Sequence, residues 1–310
     1  MGNTFYFGWE IAFMEWAQGI CPTVGKIIAS IFTSCGEQGV LIVVMGFLFW
    51  GYDKKYGKFV GINILVATLW NPMIKNVFLR RRPYFDNPGI KCLKPVEADA
   101  DIYDIDAQGY SFPSGHSMSA VAVYGSLPVY KNNKWLKIIG IVLPILVGIS
   151  RVYLGVHYPT DVLTGWAVGV IVVLVISYLQ RKVKKSWILY LVLFLIGVPG
   201  LFYCNSSDYF TCFGLMGGAL LGFVFEDRFV KFENTKSLLR MIIRVAGGGL
   251  SYLVLNVLMK LPFSSEFLGN GSFAAHMVRT GRYFVIGFAL IGLYPMIFKY
   301  TANIGKKEAK

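Results

Sequence analysis

Three short stretches of the sequence combine side chains that bind anions with side chains that move protons or attack electrophiles. The first, KNVFLRRRP, holds Lys75 and Arg82 seven residues apart. Seven residues make almost two helical turns, so the spacing predicts both cations on one helix face, about 10 Å apart along the axis. Pro83 disfavours helix at the preceding residue and should end that helix. The alternative is a basic rim snorkelling to the membrane surface, which suits Arg80 and Arg81.

The second stretch, PSGH, occupies residues 113–116 and opens an apolar run. Ser114 is a good N-cap, and Gly115 lets a bound group approach the backbone. Free N–H groups at the start of a helix bind anions, and His116 on that first turn could exchange a proton with the bound group. Taken alone, the stretch also fits an ordinary capped helix with an interfacial histidine.

The third stretch, SRVYLGVHYPTD, covers residues 150–161 between two apolar runs. Arg151 ends the first run, and Pro159 forces a turn before the second. Asp161 can accept the proton on one imidazole nitrogen of His157, which fixes the tautomer and leaves the other nitrogen as a nucleophile. A polar loop with Asp161 as a helix cap is the other interpretation.

The elements that position these side chains are expected to be membrane helices. Of 310 residues, 55% are hydrophobic and 15% are charged, and the apolar residues come in long runs. Because backbone groups cannot stay unpaired in lipid, we predict an all-α polytopic membrane protein built as a helical bundle. The aromatic-rich, amphipathic segment at residues 5–20 predicts one or two interfacial helices.

Nine apolar runs follow, several of them shorter than the roughly 20 residues of a typical span, so short or tilted helices are expected. They cover approximately residues 37–51, 58–79, 114–130, 136–151, 162–180, 186–204, 209–226, 239–260 and 283–298.

Basic residues are concentrated in alternate loops and in the C-terminal tail. This set holds 18 of the 30 Lys and Arg residues: Lys54, Lys55, Lys58, Lys131, Lys134, Lys137, Arg181, Lys182, Lys184, Lys185, Arg228, Lys231, Lys236, Arg240, Lys299, Lys306, Lys307 and Lys310. The positive-inside rule puts these loops in the cytoplasm, which explains the net charge of +13 without nucleic acid as a partner. The three stretches fall on the opposite side, where their arginines break the rule and are candidates for binding an anion.

In chain order the stretches read Lys-(x)6-Arg-Pro, Pro-Ser-Gly-His and Ser-Arg-(x)5-His-(x)3-Asp. This set resembles the signature motifs of the type-2 phosphatidic acid phosphatase (lipid phosphate phosphatase) superfamily, which also includes glucose-6-phosphatases and vanadium haloperoxidases. All three motifs are complete and in family order, and the resemblance covers about residues 37–180. We therefore predict a phosphatase core at 37–185, with interfacial helices at 1–36 and additional transmembrane helices of unknown role at 186–310.

The resemblance implies a role for each motif residue. His157 would attack phosphorus and form a phosphohistidine, and Asp161 would orient it and stabilise its positive charge. His116 would protonate the leaving oxygen and then activate water. Phosphoryl transfer also needs positive charge around three equatorial oxygens, so neither a metal nor another cofactor is expected. The phosphoryl oxygens would be bound by Lys75, Arg82, Ser114, Gly115 and Arg151.

The implied activity is hydrolysis of a membrane lipid phosphate or diphosphate, at a site on the outer (periplasmic) face of a bacterial plasma membrane. Undecaprenyl pyrophosphate is the first substrate to consider, followed by phosphatidylglycerophosphate or phosphatidate. The alternatives are a sugar-phosphate phosphatase similar to glucose-6-phosphatase, a lipid transporter or flippase that binds phosphate without cleaving it, and a bifunctional protein with a separate later module. The membrane architecture argues against a haloperoxidase.

Three further features lie outside the motifs. The acidic stretch EADADIYDID at 97–106 lacks the spacing of an EF-hand, which favours a solvated lid loop over a metal site. His276 has no partner motif and is expected to be a surface histidine in the loop 261–282. The five cysteines follow no metal or redox spacing; we expect buried or interfacial thiols, with a Cys204–Cys212 bridge as the alternative.

Overall fold

The computed structural model describes residues 2–301, and the regular secondary structure of this part of the chain is helical. Within it, β pairing is limited to an isolated bridge between Asn3 and Arg80. The helices are α1 (Gly8–Gly19), α2 (Pro22–Ser34), α3 (Gln38–Gly46), α4 (Lys54–Phe78), α5 (Pro83–Asp86), α6 (Ile105–Gln108), α7 (Gly115–Ala120), α8 (Ser126–Tyr130), α9 (Lys134–Tyr153), α10 (Pro159–Lys182), α11 (Ser186–Gly197), α12 (Ser207–Phe225), α13 (Leu238–Leu258), α14 (Ser265–Gly269) and α15 (Phe273–Phe288).

Several helices continue into turns of different pitch. The wider π turns are Phe47–Tyr52, Val121–Gly125, Glu226–Val230 and Ala289–Leu293, and the tighter 3₁₀ turns are Val198–Phe202 and Tyr294–Thr301. Because Val121–Gly125 joins α7 to α8, the apolar run that follows the second motif is one irregular helix rather than a regular span.

Five helices of the described residues are long and apolar enough to cross a membrane: Lys134–Tyr153, Pro159–Lys182, Ser207–Val230, Leu238–Leu258 and Phe273–Tyr300. The bent pair formed by α2 with Gln38–Tyr52 raises the number to as many as six. The remaining predicted runs lie in helices that are shorter or more polar. Ser186–Phe202, for example, is apolar but short. The prediction of an all-α polytopic membrane protein is confirmed.

The chain divides into two compact units. The first consists of the chain up to Leu41 together with Trp70–Ser177, and it contains all three motifs. In this unit α9 is the central helix, packed against α1, α2 and α7. Contacts between α2 and α9 are close, since a side chain at Gly25 would collide with the ring of Tyr153.

The second unit consists of Ile42–Leu69 and the chain from Tyr178 onward. Its centre is the pair α12 and α15, whose backbones touch because α12 presents glycines to α15. The second unit combines Ile42–Leu69 with the later helices, so the boundaries of the two units differ from those of the predicted functional parts. The division into functional parts at 1–36, 37–185 and 186–310 stays a prediction.

Two smaller expectations concern the same part of the chain. Cys204 and Cys212 are both buried free thiols, so they form no bridge. Of the basic residues in the predicted cytoplasmic set, Lys306, Lys307 and Lys310 lie outside the described residues.

Candidate active site

The third motif lies in the turn that joins α9 to α10. Gly155 adopts φ +76°, a left-handed value that glycine tolerates, and a Cβ there would collide with the carbonyl oxygen of Lys91. Pro159 then begins α10 and places Asp161 in its first turn. This turn sets His157 and Asp161 on either side of the helix start.

His157 and Asp161 form a buried pair, with exposed fractions of 2% and 0%. Nδ1 of His157 lies 3.4 Å from Oδ2 of Asp161, and the same carboxylate oxygen accepts a hydrogen bond of 2.8 Å from the backbone N–H of Tyr158. The imidazole contact is long, as catalytic hydrogen bonds often are before substrate binds. The arrangement lets Asp161 accept the Nδ1 proton and leaves Nε2 for chemistry.

Arg82 is buried beside this pair. Its Nε donates to the carbonyl oxygen of Gln108 at 2.8 Å, and its Nη1 donates to the carbonyl oxygen of Val156 at 2.9 Å. Val156 directly precedes His157, so Arg82 attaches the long 80–112 loop to the third motif.

The second motif is joined to the third through the backbone. The N–H of Ser114 donates to the carbonyl oxygen of Asp161 at 2.9 Å. Asn71 of α4 donates from Nδ2 to the carbonyl oxygen of Pro113 at 3.0 Å, which holds the entrance to α7. A Cβ at Gly165 would lie 2.7 Å from the carbonyl oxygen of Ser114, so α10 approaches the motif closely only because this residue is glycine.

Arg151 and His116 lie against the corner between α2 and α3. Nη1 of Arg151, a residue only 3% exposed, donates to the hydroxyl of Thr33 at 2.8 Å. A Cβ at Gly36 would lie 3.2 Å from the Cβ of His116. The corner therefore forms one wall of the site, which the sequence did not indicate.

The pKa of His157 shows which other candidate residues lie close enough to influence it. The pKa of His157 lies well below the ordinary value of 6.5, because burial disfavours the charged ring and the cations Arg82, Arg151 and Lys75 repel it. His116 contributes to the same shift. All of these groups are therefore within Coulombic range of the proposed nucleophile, and the ring of His157 is neutral at pH 7.

The predicted relation between Lys75 and Arg82 is wrong. α4 ends at Phe78, four residues before Arg82, and Leu79 then takes φ +53°. The two cations therefore do not share a helix face; Arg82 reaches the site from the N-cap of α5. The proline acts as the first residue of that short helix rather than as the end of α4.

Arg80 is also placed differently from the snorkelling rim that was considered for it. It is 1% exposed, and its Nη1 donates to Oδ1 of Asp161 at 2.6 Å while its Nη2 donates to Oε2 of Glu10 at 3.1 Å. Two buried carboxylates therefore pair with the guanidinium inside the protein, away from the membrane surface. Arg81 is half-buried, and its ion pair is with Asp86 at 2.6 Å.

Two family models match the chain. The model of the PAP2 superfamily matches residues 56–185, and that of the PAP2 superfamily phosphatase transmembrane extension matches residues 210–306. Phosphatidylglycerophosphatase B of Bacillus subtilis is 32% identical over 177 residues, which are 53% of this chain and 79% of that protein. The chain belongs to the PAP2 superfamily. As a PAP2 member it is an integral membrane phosphatase, and most of its later helices match the family's transmembrane extension.

The chain is also similar to one further relative and to one solved structure. The undecaprenyl-diphosphatase of Sulfolobus acidocaldarius is 35% identical over 117 residues, which are 37% of this chain and 51% of that protein, so the chain spans about half of its length. The crystal structure titled as the first transmembrane PAP2 type phosphatidylglycerolphosphate phosphatase from Bacillus subtilis shares 29% identity and a TM-score of 0.45, covering 57% of this chain and 86% of that one.

The acidic stretch of this PAP2 protein has a local structural role. Oδ1 of Asp104 accepts hydrogen bonds from the N–H groups of Asp106 and Ala107 and so caps α6, and the carboxylates of the stretch are exposed. Among residues 2–301, His, Cys, Asp and Glu form no group of three or more that could hold a metal ion. The expectation of a reaction without metal stays a prediction.

His276 is not the surface histidine that was predicted. It lies in α15, is 7% exposed, and stacks on the ring of Phe210 with centroids 4.2 Å apart. The segment 261–282 looked like a loop because its polar residues hide the start of a helix.

Proposed function

We propose that this PAP2 protein hydrolyses membrane lipid phosphate or diphosphate esters through a phosphohistidine at His157. The observation that carries the proposal is the buried contact of 3.4 Å between His157 and Asp161, within range of three cations. A neutral imidazole whose Nδ1 proton is held by a carboxylate is a nucleophile prepared at Nε2.

In the first step, Nε2 of His157 attacks phosphorus, the N–P bond forms, and the bond from phosphorus to the ester oxygen breaks. The leaving oxygen takes a proton from His116. Burial and the cations Arg151 and Lys75 hold the pKa of His116 well below 6.5 in the free protein, so this proton must be taken up together with the anionic substrate. The ring of His157 becomes positively charged, and Asp161 stabilises that charge through Nδ1–H. The phosphoryl group is then held on the enzyme while the alcohol or lipid monophosphate leaves.

In the second step, a water molecule attacks the phosphohistidine, and inorganic phosphate leaves as the N–P bond breaks. His116, which gave up its proton in the first step, now accepts one from the attacking water. The same residue serves as acid and then as base, as reversibility of the two half-reactions requires.

Arg151 is the cation best suited to the phosphoryl oxygens. Its hydrogen-bond partner is the neutral hydroxyl of Thr33, and its buried Nε has no hydrogen-bond partner among the described residues. Its charge is therefore not used by a carboxylate, in contrast with Arg80, which serves two. We propose that the phosphoryl oxygens are also bound by Arg82, Lys75 and the start of α7 at Ser114 and Gly115.

We place the substrate in the membrane. The relatives named above act, by their names, on phosphatidylglycerophosphate and on undecaprenyl diphosphate, and this chain has five helices that can cross a bilayer. The lipid tail would stay between helices while the phosphate reaches the motifs. By the distribution of lysines, the site would face the outer side of a bacterial plasma membrane.

The test is release of inorganic phosphate by the purified protein in detergent with excess EDTA. Undecaprenyl diphosphate, phosphatidylglycerophosphate, phosphatidate and glucose 6-phosphate are compared, and vanadate should inhibit by mimicking five-coordinate phosphorus. We expect lipid substrates to be hydrolysed and acid-labile phosphate to be found on His157, with both lost in His157→Ala. Binding of lipid without phosphate release would favour the transporter, and preference for the sugar phosphate would favour the glucose-6-phosphatase-like alternative. Activity that needs magnesium would contradict the assignment of protein cations to the phosphoryl oxygens.

A further inference from the structure

We infer that Glu10 and Arg80 are positioning residues that set the orientation and the charge of Asp161 for the attack by His157. The inference rests on the proposed function. Arg80 lies inside the first motif at a position that the motif leaves open, and Glu10 lies in the N-terminal helix α1, far from all three motifs in sequence.

Arg80 is held on every side. Its Nη1 donates to Oδ1 of Asp161 at 2.6 Å, and its Nε donates to the carbonyl oxygen of Phe5 at 2.7 Å. The guanidinium also lies between two aromatic rings, 3.9 Å from the centroid of Tyr158 and 4.6 Å from that of Phe5. A planar cation fixed in this way allows one position for the Asp161 oxygen that it binds.

Glu10 holds the other side of the same cation. Its Oε2 accepts from Nη2 of Arg80 at 3.1 Å, and its Oε1 accepts from the hydroxyl of Thr160 at 2.7 Å and from the backbone N–H of Thr160 at 3.0 Å. Thr160 directly precedes Asp161, and Glu10 itself is fully buried. Glu10 therefore fixes both the arginine and the backbone at the carboxylate that faces His157.

The charges explain why two carboxylates are needed. Arg80 alone would neutralise Asp161, and the pair would offer no net negative charge to an imidazole that becomes cationic. With Glu10 the group carries one net negative charge, which the cationic ring of His157 brings to zero. This matters because Arg82, Arg151, Lys75 and burial already oppose a positive charge on that ring.

The experiment compares Glu10→Gln with Glu15→Gln, the same change at an exposed position of the same helix. Gln keeps the size and one acceptor oxygen, so it removes the charge and keeps the contacts of only one of the two carboxylate oxygens. We expect Glu10→Gln to lower kcat about 10- to 100-fold with little change in KM, because the charge is needed as the ring becomes cationic. Glu15→Gln should behave as the wild type, and Glu10→Asp, which keeps the charge, should recover part of the loss.

The pH profile separates this role from simple loss of structure. Removing the charge of Glu10 disfavours protonated His157, so the acid limb of kcat/KM should move to lower pH in Glu10→Gln. A partly unfolded enzyme would lose activity at every pH without moving the limb. Because Glu10→Gln retains His157, phosphohistidine should still form, only more slowly.

The phosphohistidine and the positioning role of Glu10 can be tested separately. Absence of phosphohistidine on His157 in the wild type would contradict the proposed function. Phosphohistidine in the wild type, together with Glu10→Gln that matches Glu15→Gln in kcat and in pH profile, would overturn the positioning role alone.

Discussion

The backbone N–H of Ser114 donates a hydrogen bond of 2.9 Å to the carbonyl oxygen of Asp161, which ties the second motif directly to the third. Two segments separated by a long helical hairpin are thereby fixed relative to each other without any side chain. The position of His116 relative to His157 depends on how closely α10 approaches this contact.

Gly165→Ala should test that dependence. The new Cβ would lie 2.7 Å from the carbonyl oxygen of Ser114 and 3.1 Å from Cβ of Ser117, so backbone must move. A misplacement of about 1 Å can cost about 10²-fold in rate, and we expect kcat/KM to fall by that order. Gly125→Ala is the matched control, since its Cβ meets only Val121 at 3.6 Å. Equal activities of the two variants would show that the approach of α10 is not needed.

Thr33→Val should weaken binding of the phosphoryl group. It removes the hydroxyl that accepts from Nη1 of Arg151 at 2.8 Å, and a hydrogen bond to a charged group is worth about 1.5–3 kcal/mol. We expect the inhibition constant of vanadate to rise roughly tenfold or more. Ser34→Ala is the control, because its hydroxyl bonds within α2 to the carbonyl of Ser30. An unchanged constant in Thr33→Val would remove Thr33 from the support of Arg151.

The pH dependence follows from the depressed pKa of His157. Burial, followed by Arg82 and Arg151, lowers this pKa well below 6.5, so the neutral nucleophile persists as the pH falls through 6.5 and is lost only at lower pH. The acid limb of kcat/KM, which reports the free enzyme, should therefore have its midpoint below pH 6.5 after correction for ionisation of the substrate phosphate. A corrected midpoint above pH 6.5 would mean that the ring is not held neutral by its surroundings.

The motif residues could be found from the sequence because each motif is local. His157 and Asp161 are four residues apart and share one turn, so their types and spacing already describe the pair. Glu10 could not be found in this way, because its partner Thr160 is 150 residues away and only the packing of α1 joins them. In sequence, Glu10 is a charge interrupting an amphipathic helix.

The contacts of the three successive arginines also could not be predicted from the sequence. Arg80, Arg81 and Arg82 have one chemistry and adjacent positions, yet they bind two carboxylates, the half-buried Asp86 and backbone carbonyls, respectively. What separates them is the path of the chain after Phe78, where Leu79 takes φ +53° without a glycine to indicate it. Regular helical spacing predicted the wrong geometry for this reason.

Sidedness can be tested with an impermeant maleimide in intact cells. The exposed Cys21 and the half-buried Cys35 and Cys92 are first replaced by serine. A cysteine is then introduced either at Asp99 or at Asn132, both of which are exposed. The lysine-rich loops predict that Asp99→Cys is labelled from outside and that Asn132→Cys is labelled only after lysis. The reverse pattern would invert the topology and contradict an outer-leaflet substrate.

The two histidines should be distinguishable by the leaving group. His116 is assigned to proton transfer, so His116→Ala should lower turnover about 10²–10⁴-fold for an ester whose alkoxide leaves poorly, and much less for a nitrophenyl ester whose phenolate needs no proton. His157→Ala should abolish turnover for both esters, because it removes the atom that accepts the phosphoryl group. With the nitrophenyl ester, phosphohistidine should also accumulate in His116→Ala, since water attack is slowed more than formation. The measurement is a burst of nitrophenolate together with acid-labile phosphate mapped by mass spectrometry; equal losses for both esters, or phosphate mapped to His116, would reverse the assigned roles.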